Sequence, residues 1–150
     1  MTNDNDTLVG SRQGEGQEID MAVHDIKLTA TMDGLKKIKI SGSKDKTKLG
    51  KGSGSHKFKF TLDDQTKHKV EFERLLAADN CSMCPPHKGK PNTQIDDIDI
   101  DNSADPRTAS FKDKNDNDGE MDVSYQWTFT CDDKNIDVED FDPIITNGGR

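Results

Sequence analysis

The sequence predicts an all-β fold, an antiparallel β-sandwich of about eight short strands. Residues 121–131, MDVSYQWTFTC, alternate apolar and polar side chains without a break, which is the pattern of a half-buried strand. Shorter runs with the same two-residue period recur along the chain between polar turn residues. Only residues 71–80, EFERLLAADN, favour a turn of helix.

The strands follow from where this period recurs. Phe58, Phe60 and Leu62 share one face of a predicted strand, and Asp118-Gly119 predicts a hairpin turn that joins residues 109–112 to the long strand after it. The predicted strands are residues 23–31, 35–40, 56–62, around 70–72, around 98–100, 109–112, 121–131 and 136–146.

Two polar segments interrupt this pattern. Residues 1–20 carry almost no apolar side chains, and we expect a disordered N-terminal tail there. Residues 21–150 are expected to form a single β-sandwich domain. Within it, residues 41–55, SGSKDKTKLGKGSGS, predict a flexible Lys/Gly/Ser loop.

Charge and hydropathy exclude several classes of function. The net charge of −8 disfavours binding to nucleic acid or to anionic membranes, and the lysine-rich stretch at 36–69 is interpreted as a solvated face. No apolar run approaches the length of a membrane span, and the N-terminus does not resemble a signal peptide. We therefore expect a cytoplasmic protein whose cysteines are thiols.

Cys81, Cys84 and His87 in NCSMCPPHKGKP invite a metal-site interpretation, because thiolates and imidazole are the usual zinc ligands. A second cysteine pair at a suitable spacing is missing. A tight loop with free thiols, a zinc site and a disulfide all remain open, and we predict neither a metal nor a cofactor. The acidic segment DKNDNDGE does not match a calcium-binding loop, since glycine and glutamate are absent from the required positions.

Two Asp-Pro bonds stand out, Asp105-Pro106 and Asp142-Pro143. The first lies in DNSADPRTA, a polar segment with the composition of a turn. The second lies in the last predicted strand, VEDFDPIITNGGR, in phase with its hydrophobic pattern. The second bond is therefore the candidate for chemistry.

The strand period predicts a pair of carboxyl groups at this bond. If the period holds from Ile136 onward, Val138, Asp140 and Asp142 share its face, and the two aspartates lie about 7 Å apart on it. Two carboxyls in a partly dry site are costly to ionise together, so at least one pKa should be raised. Asp140 is the predicted acid/base partner of Asp142, and Glu139 is the alternative candidate for this role.

Two chemical routes lead from this pair to chain cleavage. The Asp142 carboxylate can attack its own main-chain carbonyl carbon and form a cyclic anhydride, which water opens to a nicked chain or a lysine amine opens to an isopeptide bond. Alternatively, one carboxylate activates a water molecule for direct attack. A second register of the last predicted strand also remains open, because a proline such as Pro143 is confined to an edge strand or to the start of a strand. In that register Phe141 is buried and Asp142 faces solvent.

The chain resembles the DP-EP family, small bacterial β-sandwich proteins named for Asp-Pro endopeptidase activity. Four motifs carry the resemblance: FTLDDQT (60–66), DNCSMCPP (79–86), VSYQWTFTC (123–131) and VEDFDPIITNG (138–148). The resemblance covers roughly residue 23 to the end. It implies an immunoglobulin-like sandwich that cuts itself at Asp142-Pro143.

The resemblance also implies self-assembly through a bond between the new Asp142 end and a lysine. Candidate lysines, chosen by proximity to the terminal strands, are Lys112, Lys114 and Lys134. The released octapeptide, PIITNGGR, is expected to stay docked through sheet pairing and through Ile144 and Ile145.

The sequence thus predicts a protein that acts once on itself by aspartic-type chemistry and whose partner is another copy of itself. The alternative is a non-enzymatic β-sandwich module that binds a partner through loops or edge strands. A zinc-binding domain is the third hypothesis.

Overall fold

The computed structural model describes residues 21–80 and 90–150, which form two packed β-sheets and no helix. The predicted all-β sandwich is thus confirmed at the level of its two sheets. No helix long and apolar enough to cross a membrane occurs in this part of the chain. The described residues form ten strands: β1 (Ala22–Met32), β2 (Lys37–Gly42), β3 (Lys46–Leu49), β4 (His56–Asp64), β5 (Glu71–Asp79), β6 (Ile95–Asp101), β7 (Arg107–Asp113), β8 (Met121–Thr130), β9 (Asp137–Val138) and β10 (Ile144–Asn147).

The sheets are mixed, whereas the sequence predicts an antiparallel sandwich. One sheet has the order β9-β2-β1-β4-β7-β6 and the other has the order β3-β10-β8-β5. Three neighbouring pairs are parallel: β1 with β4, β2 with β9, and β3 with β10. Strands β1 and β4 are parallel because the chain leaves the six-stranded sheet after β2 and contributes β3 to the four-stranded sheet. It then returns to the six-stranded sheet as β4, on the side of β1 opposite to β2.

The core lies between the two sheets and is rich in aromatic side chains. Phe60 and Trp127 are both 0% exposed, and their rings meet edge to face with centroids 5.6 Å apart. Tyr125 and Phe111 make a similar contact at 5.0 Å. Each such side chain contributes roughly 1.5–3 kcal/mol by leaving water, so this cluster holds the sheets together.

Three expectations about single elements are corrected. Residues 71–79 form strand β5 rather than the helical turn predicted for 71–80, since this strand pairs along most of β8. The predicted hairpin through Asp118-Gly119 is absent from the structure: β7 pairs with β4 and β6, while β8 belongs to the other sheet. The single strand expected at 136–146 is two short strands, β9 and β10, in different sheets.

The range predicted as a flexible loop, 41–55, contains regular structure. It begins with the end of β2 and includes all of β3, whose Leu49 is 1% exposed. Strand β3 pairs in parallel with β10. The ten observed strands exceed the predicted eight by two: one is β3, and the other results from the division of the last predicted strand into β9 and β10. The predicted tail at 1–20 lies outside the described residues.

Residues 139–143 carry the chain from one sheet to the other. They follow β9 at the edge of the six-stranded sheet and precede β10 in the interior of the four-stranded sheet. The Asp142-Pro143 bond therefore lies in the crossing segment, just before β10.

Candidate functional site

The main chain is anchored to β8 on both sides of the Asp142-Pro143 bond. The Phe141 amide donates a hydrogen bond to the Trp127 carbonyl at 3.0 Å, and the Trp127 amide donates to the Phe141 carbonyl at 2.8 Å. Beyond the bond, the Tyr125 amide donates to the Pro143 carbonyl at 3.2 Å. These three hydrogen bonds restrict the backbone around the bond.

The side chains follow the second of the two registers that the sequence leaves open. Phe141 is 7% exposed and Pro143 is buried, while Asp140 and Asp142 are exposed on the opposite face. The prediction that both aspartates continue the inward face of Val138 is wrong. The physical reason is the crossing between sheets: the chain changes sheet after β9, and the alternation restarts at Phe141.

Asp142 nevertheless lies in an acidic cleft rather than on open surface. The cleft has a volume of about 390 Å³ and is lined by Ile40, Asp45, Glu139, Asp140, Phe141, Asp142, Pro143 and Ile144. Half of these residues are acidic. The carboxyl next to the Asp-Pro bond therefore shares a partly enclosed volume with other carboxyls.

The pKa of Asp142 is raised above its ordinary value, in the direction that the sequence predicts. Partial burial in the cleft is the largest cause, and the negative charge of Asp140 adds to it. A hydrogen bond from the Asp142 backbone amide acts in the opposite direction. A carboxyl whose charged form is disfavoured in this way retains its proton to higher pH.

The two candidate partners of Asp142 have different environments. Glu139 is tied to β2: its Oε1 accepts a hydrogen bond from the Ile40 amide at 3.3 Å, and its Oε2 lies 3.4 Å from Lys37 Nζ. Asp140 accepts a hydrogen bond through Oδ2 from Gln126 Nε2 and is the acid that repels the Asp142 charge. Asp140 is thus the acid whose charge acts on Asp142, whereas Glu139 is engaged with β2.

Two residues of this site were not predicted from the sequence. Gln126 orients Asp140, yet in the sequence it has the position of an ordinary outward polar residue of β8. Asp45 lines the cleft, and its carbonyl accepts a hydrogen bond from the Ile144 amide at 3.4 Å. Its position within the predicted loop provided no local signal.

The octapeptide that begins at Pro143 is held on both sides. Strand β10 lies between β3 and β8, and Ile145 is 1% exposed. Asn147 is 0% exposed, and its Nδ2 donates hydrogen bonds to Asp113 Oδ1 at 2.7 Å and Asn117 Oδ1 at 3.2 Å. The Gly149 amide donates to Asn115 Oδ1 at 2.9 Å. These contacts do not depend on the Asp142-Pro143 bond.

The candidate lysines are not gathered at the Asp142 carboxyl. Lys112 and Lys114 form ion pairs with aspartates of β6, and Lys134 is exposed in the turn before β9. Lys46 is instead the direct neighbour of Ile144 in the parallel β3–β10 pair. Sequence proximity missed this lysine because it lies beside the octapeptide only through a pairing between distant segments.

The proposed metal ligands Cys81, Cys84 and His87 lie outside the described residues. In the part of the chain that the structure covers, no group of three or more His, Cys, Asp or Glu side chains is arranged to hold a metal ion. Cys131 has no disulfide partner among the described residues, and its Sγ donates to the Asp133 carbonyl at 3.3 Å.

Replacing Asp140 with asparagine is expected to lower the pKa of Asp142, because the substitution removes a nearby negative charge and keeps the shape of the side chain. The shift should be partial, since burial is the larger cause. Titration of the carboxyl ¹³C chemical shift of Asp142 measures it. Asp137→Asn, which removes an exposed charge from β9, is the matched control and should leave this pKa unchanged. An equal response to both substitutions would contradict the coupling.

Comparisons with known proteins identify no family for this chain. No protein-family model matches it, and no curated protein shows a significant match. The likeness to the DP-EP proteins therefore rests on the four motifs quoted above.

Proposed function

We propose that this protein cuts its own Asp142-Pro143 bond, once, by aspartic-type chemistry. The observation that supports the proposal best is the placement of the Asp142 carboxyl in a cleft with Asp140, beside a peptide bond whose flanks are hydrogen-bonded to β8. An ordinary turn before a last strand requires no such pair of carboxyls.

The main route uses Asp142 as its own nucleophile. One Asp142 carboxylate oxygen attacks the Asp142 main-chain carbonyl carbon, and the bond between this carbon and the Pro143 nitrogen breaks. The departing nitrogen takes a proton, for which Asp140 is the proposed donor, and a five-membered cyclic anhydride remains. Because the reacting groups belong to one residue, the attack has a high effective concentration when the backbone is held in a suitable conformation.

The raised pKa of Asp142 bears on this division of roles. The Asp142 carboxyl keeps its proton to higher pH than usual, so it must give up that proton before it attacks as a carboxylate. Asp140 is the proposed acceptor of this proton, which it then passes to the leaving proline nitrogen. In the second route, the same ionised carboxylate activates a water molecule that attacks the carbonyl directly.

Water that opens the anhydride produces a nicked protein. A lysine amine that opens it produces an Asp-Lys isopeptide bond, and between two copies this bond would support self-assembly. Lys46 joins Lys112, Lys114 and Lys134 as a candidate because it borders the octapeptide. An immunoglobulin-like sandwich, which rests on the resemblance, and a cytoplasmic location, which rests on the hydropathy pattern of the sequence, belong to the same proposal.

Intact-mass spectrometry of the purified full chain tests the proposal. After incubation near neutral pH and denaturation, the wild type should lose the mass of PIITNGGR, whereas Asp142→Asn should retain its full mass. Denaturation is needed because the contacts of β10 keep a cut octapeptide bound.

The chain contains its own matched control, the Asp105-Pro106 bond. Asp105→Asn should not affect the cut at Asp142, and the preference for Asp142 should vanish in urea, where both bonds are unstructured. A folded wild type that keeps its full mass after long incubation, or that is cut equally at both bonds, would contradict self-cleavage. The binding-module alternative predicts an uncut chain of full mass, and it predicts that Asp142→Asn alters only the stability of the protein.

A further inference from the structure

A hydroxyl group and two histidines form a continuous hydrogen-bonded series that runs from the turn between β3 and β4, through the first residue of β4, to β1. Ser53 Oγ lies 2.8 Å from His56 Nε2, and His56 Nδ1 lies 2.9 Å from His24 Nε2. These residues are separated by up to 32 positions in the chain, and the sequence pattern does not connect them.

The fold assembles this series through the parallel pairing of β1 and β4. The register places Ala22 opposite His56 and His24 opposite Phe58, so the two imidazoles are diagonal neighbours. His56 is 7% exposed, and the His24 ring stacks on Phe58 at a centroid distance of 4.7 Å. Ser53 reaches His56 from the turn that follows Gly50. Both histidines are therefore held in place by neighbouring rings.

We propose that Ser53, His56 and His24 form a second reactive site, in which Ser53 is a nucleophile toward short-chain acyl esters. His56 is its general base, and His24 is a positioning residue that holds the His56 ring. The arrangement of nucleophile, base and orienting group at hydrogen-bonding distances is the one that activates serine hydroxyls on unrelated folds. This site does not depend on the Asp142-Pro143 bond.

The series can run in two directions. In one, the Ser53 hydroxyl donates to the Gly50 carbonyl at 2.6 Å, while His56 Nε2 donates to Ser53 Oγ and His24 Nε2 donates to His56 Nδ1. In the other, the Ser53 hydroxyl turns from the Gly50 carbonyl and donates to His56 Nε2, and His56 Nδ1 donates to His24 Nε2. The second direction is the reactive one, and it requires loss of the hydrogen bond to Gly50, rotation of the hydroxyl and a change of tautomer of both histidines.

The surroundings keep both imidazoles uncharged near neutral pH. Burial is the largest cause that lowers the pKa of His24, with contributions from His56 and Lys44 that outweigh Asp25. Burial also lowers the pKa of His56. A neutral imidazole has the lone pair that a general base needs.

Acyl transfer at this site balances as follows. Ser53 Oγ bonds to the acyl carbon while its proton passes to His56 Nε2, and the ester carbon–oxygen bond then breaks as the leaving alkoxide takes that proton. Water, deprotonated by His56, subsequently attacks the acyl group and restores the Ser53 hydroxyl. Asn115 Nδ2 donates to Ser53 Oγ at 3.2 Å and to the Gly50 and Gly54 carbonyls at 3.1 Å, so it holds the turn that carries the Ser53 hydroxyl.

A substrate has access to Ser53. The Ser53 residue is exposed, and the glycines on either side of it line an adjoining cavity of about 520 Å³ whose lining does not include Ser53 itself. Asn115 lines the same cavity. The volume accommodates a short acyl group with its alcohol.

Labelling of the full chain with a fluorophosphonate probe tests the proposal. We expect a single adduct on Ser53, formed about 100-fold faster than any adduct on Ser55, the matched serine in the same loop. Ser53→Ala should abolish the adduct, and Ser55→Ala should not change it. Heat-denatured protein should lose the selectivity. The same protein should hydrolyse p-nitrophenyl acetate with a burst that Ser53→Ala removes.

The role of His24 is tested by His24→Ala with added imidazole. The substitution should slow labelling of Ser53 about tenfold or more, and free imidazole should restore part of the rate, which a merely structural role would not allow. Equal labelling of Ser53 and Ser55 in the folded protein would overturn the proposal, as would the loss of Ser53 labelling in the Asp142→Asn variant. Ser53 labelling that persists in Asp142→Asn keeps this site separate from the proposed self-cleavage.

Discussion

Phe141→Ala is expected to destabilise the fold by about 3–5 kcal/mol and to slow cleavage of the Asp142-Pro143 bond in molecules that remain folded. Phe141 is 7% exposed, and its ring packs edge to face on Phe60 and Tyr125 with centroid distances of 6.4 and 6.3 Å. The same ring fills the space above Gly42, where an added Cβ would collide with it. Loss of the ring leaves a cavity between the sheets and removes the side chain that sets the register of the crossing segment.

Phe129→Ala is the matched control, because Phe129 is also 7% exposed and also belongs to the core, but lies away from the cleft. Urea unfolding should show losses of similar size for the two variants. The cleavage rate, measured by mass spectrometry in buffer where circular dichroism shows both to be folded, should fall only for Phe141→Ala. Equal slowing in both variants would mean that cleavage depends on global stability rather than on the register at Phe141.

The strands themselves are largely predictable from side-chain alternation. The alternation predicts strand β8 almost residue for residue, because its apolar positions face an aromatic core and its turn residues are polar. The pairing of strands is not predictable in the same way. The period of a strand reports which side chains are buried but not which neighbour supplies the hydrogen bonds. The predicted β7–β8 hairpin is wrong for this reason, since a good turn sequence joins strands of two different sheets here.

The candidate site shows the same division. The Asp142-Pro143 bond and the pair of acids are evident from the residues, and so is the direction of the Asp142 pKa shift. The orientation of the acids is not, because the change of sheet after β9 resets the alternation within three residues. Gln126 enters the site only through tertiary packing, and no local pattern signals such a contact.

The series of Ser53, His56 and His24 escapes sequence reasoning for a related reason. In the sequence the histidines are scattered, and the serine lies in a segment with the composition of a flexible loop. A parallel pairing between β1 and β4 brings them together, whereas the sequence predicts antiparallel neighbours. The alternation of apolar and polar side chains therefore gives no sign of a site whose residues meet only through a parallel pairing of distant strands.

Asp113→Asn is expected to stabilise the protein at neutral pH by about 1–3 kcal/mol. Asp113 is 0% exposed; its Oδ1 accepts hydrogen bonds from the Asn115 amide at 3.0 Å and from Asn147 Nδ2 at 2.7 Å, while its Oδ2 has no partner within the described residues. Burial raises the pKa of Asp113 from 3.8 to about 6, against the effect of these hydrogen bonds and with help from the charges of Asp79 and Asp116.

The sign of the pH dependence follows from this shift. Between about pH 4 and pH 6 the folded state holds a proton on Asp113 that the unfolded state has released. The contribution of Asp113 to stability is therefore fully present below about pH 4 and is lost as pH rises through about 6, by roughly 3 kcal/mol in total. Asparagine keeps the Oδ1 acceptor and carries no charge, so the variant should not show this loss.

Urea unfolding of wild type and Asp113→Asn at pH 4.5, 6 and 7.5 measures the effect as a difference, which cancels the titration of other carboxyls. The difference in the free energy of unfolding should grow with pH. Asp116→Asn, which removes an exposed charge from the adjacent loop, is the control and should give a much smaller change. Parallel curves for wild type and Asp113→Asn would contradict a raised pKa.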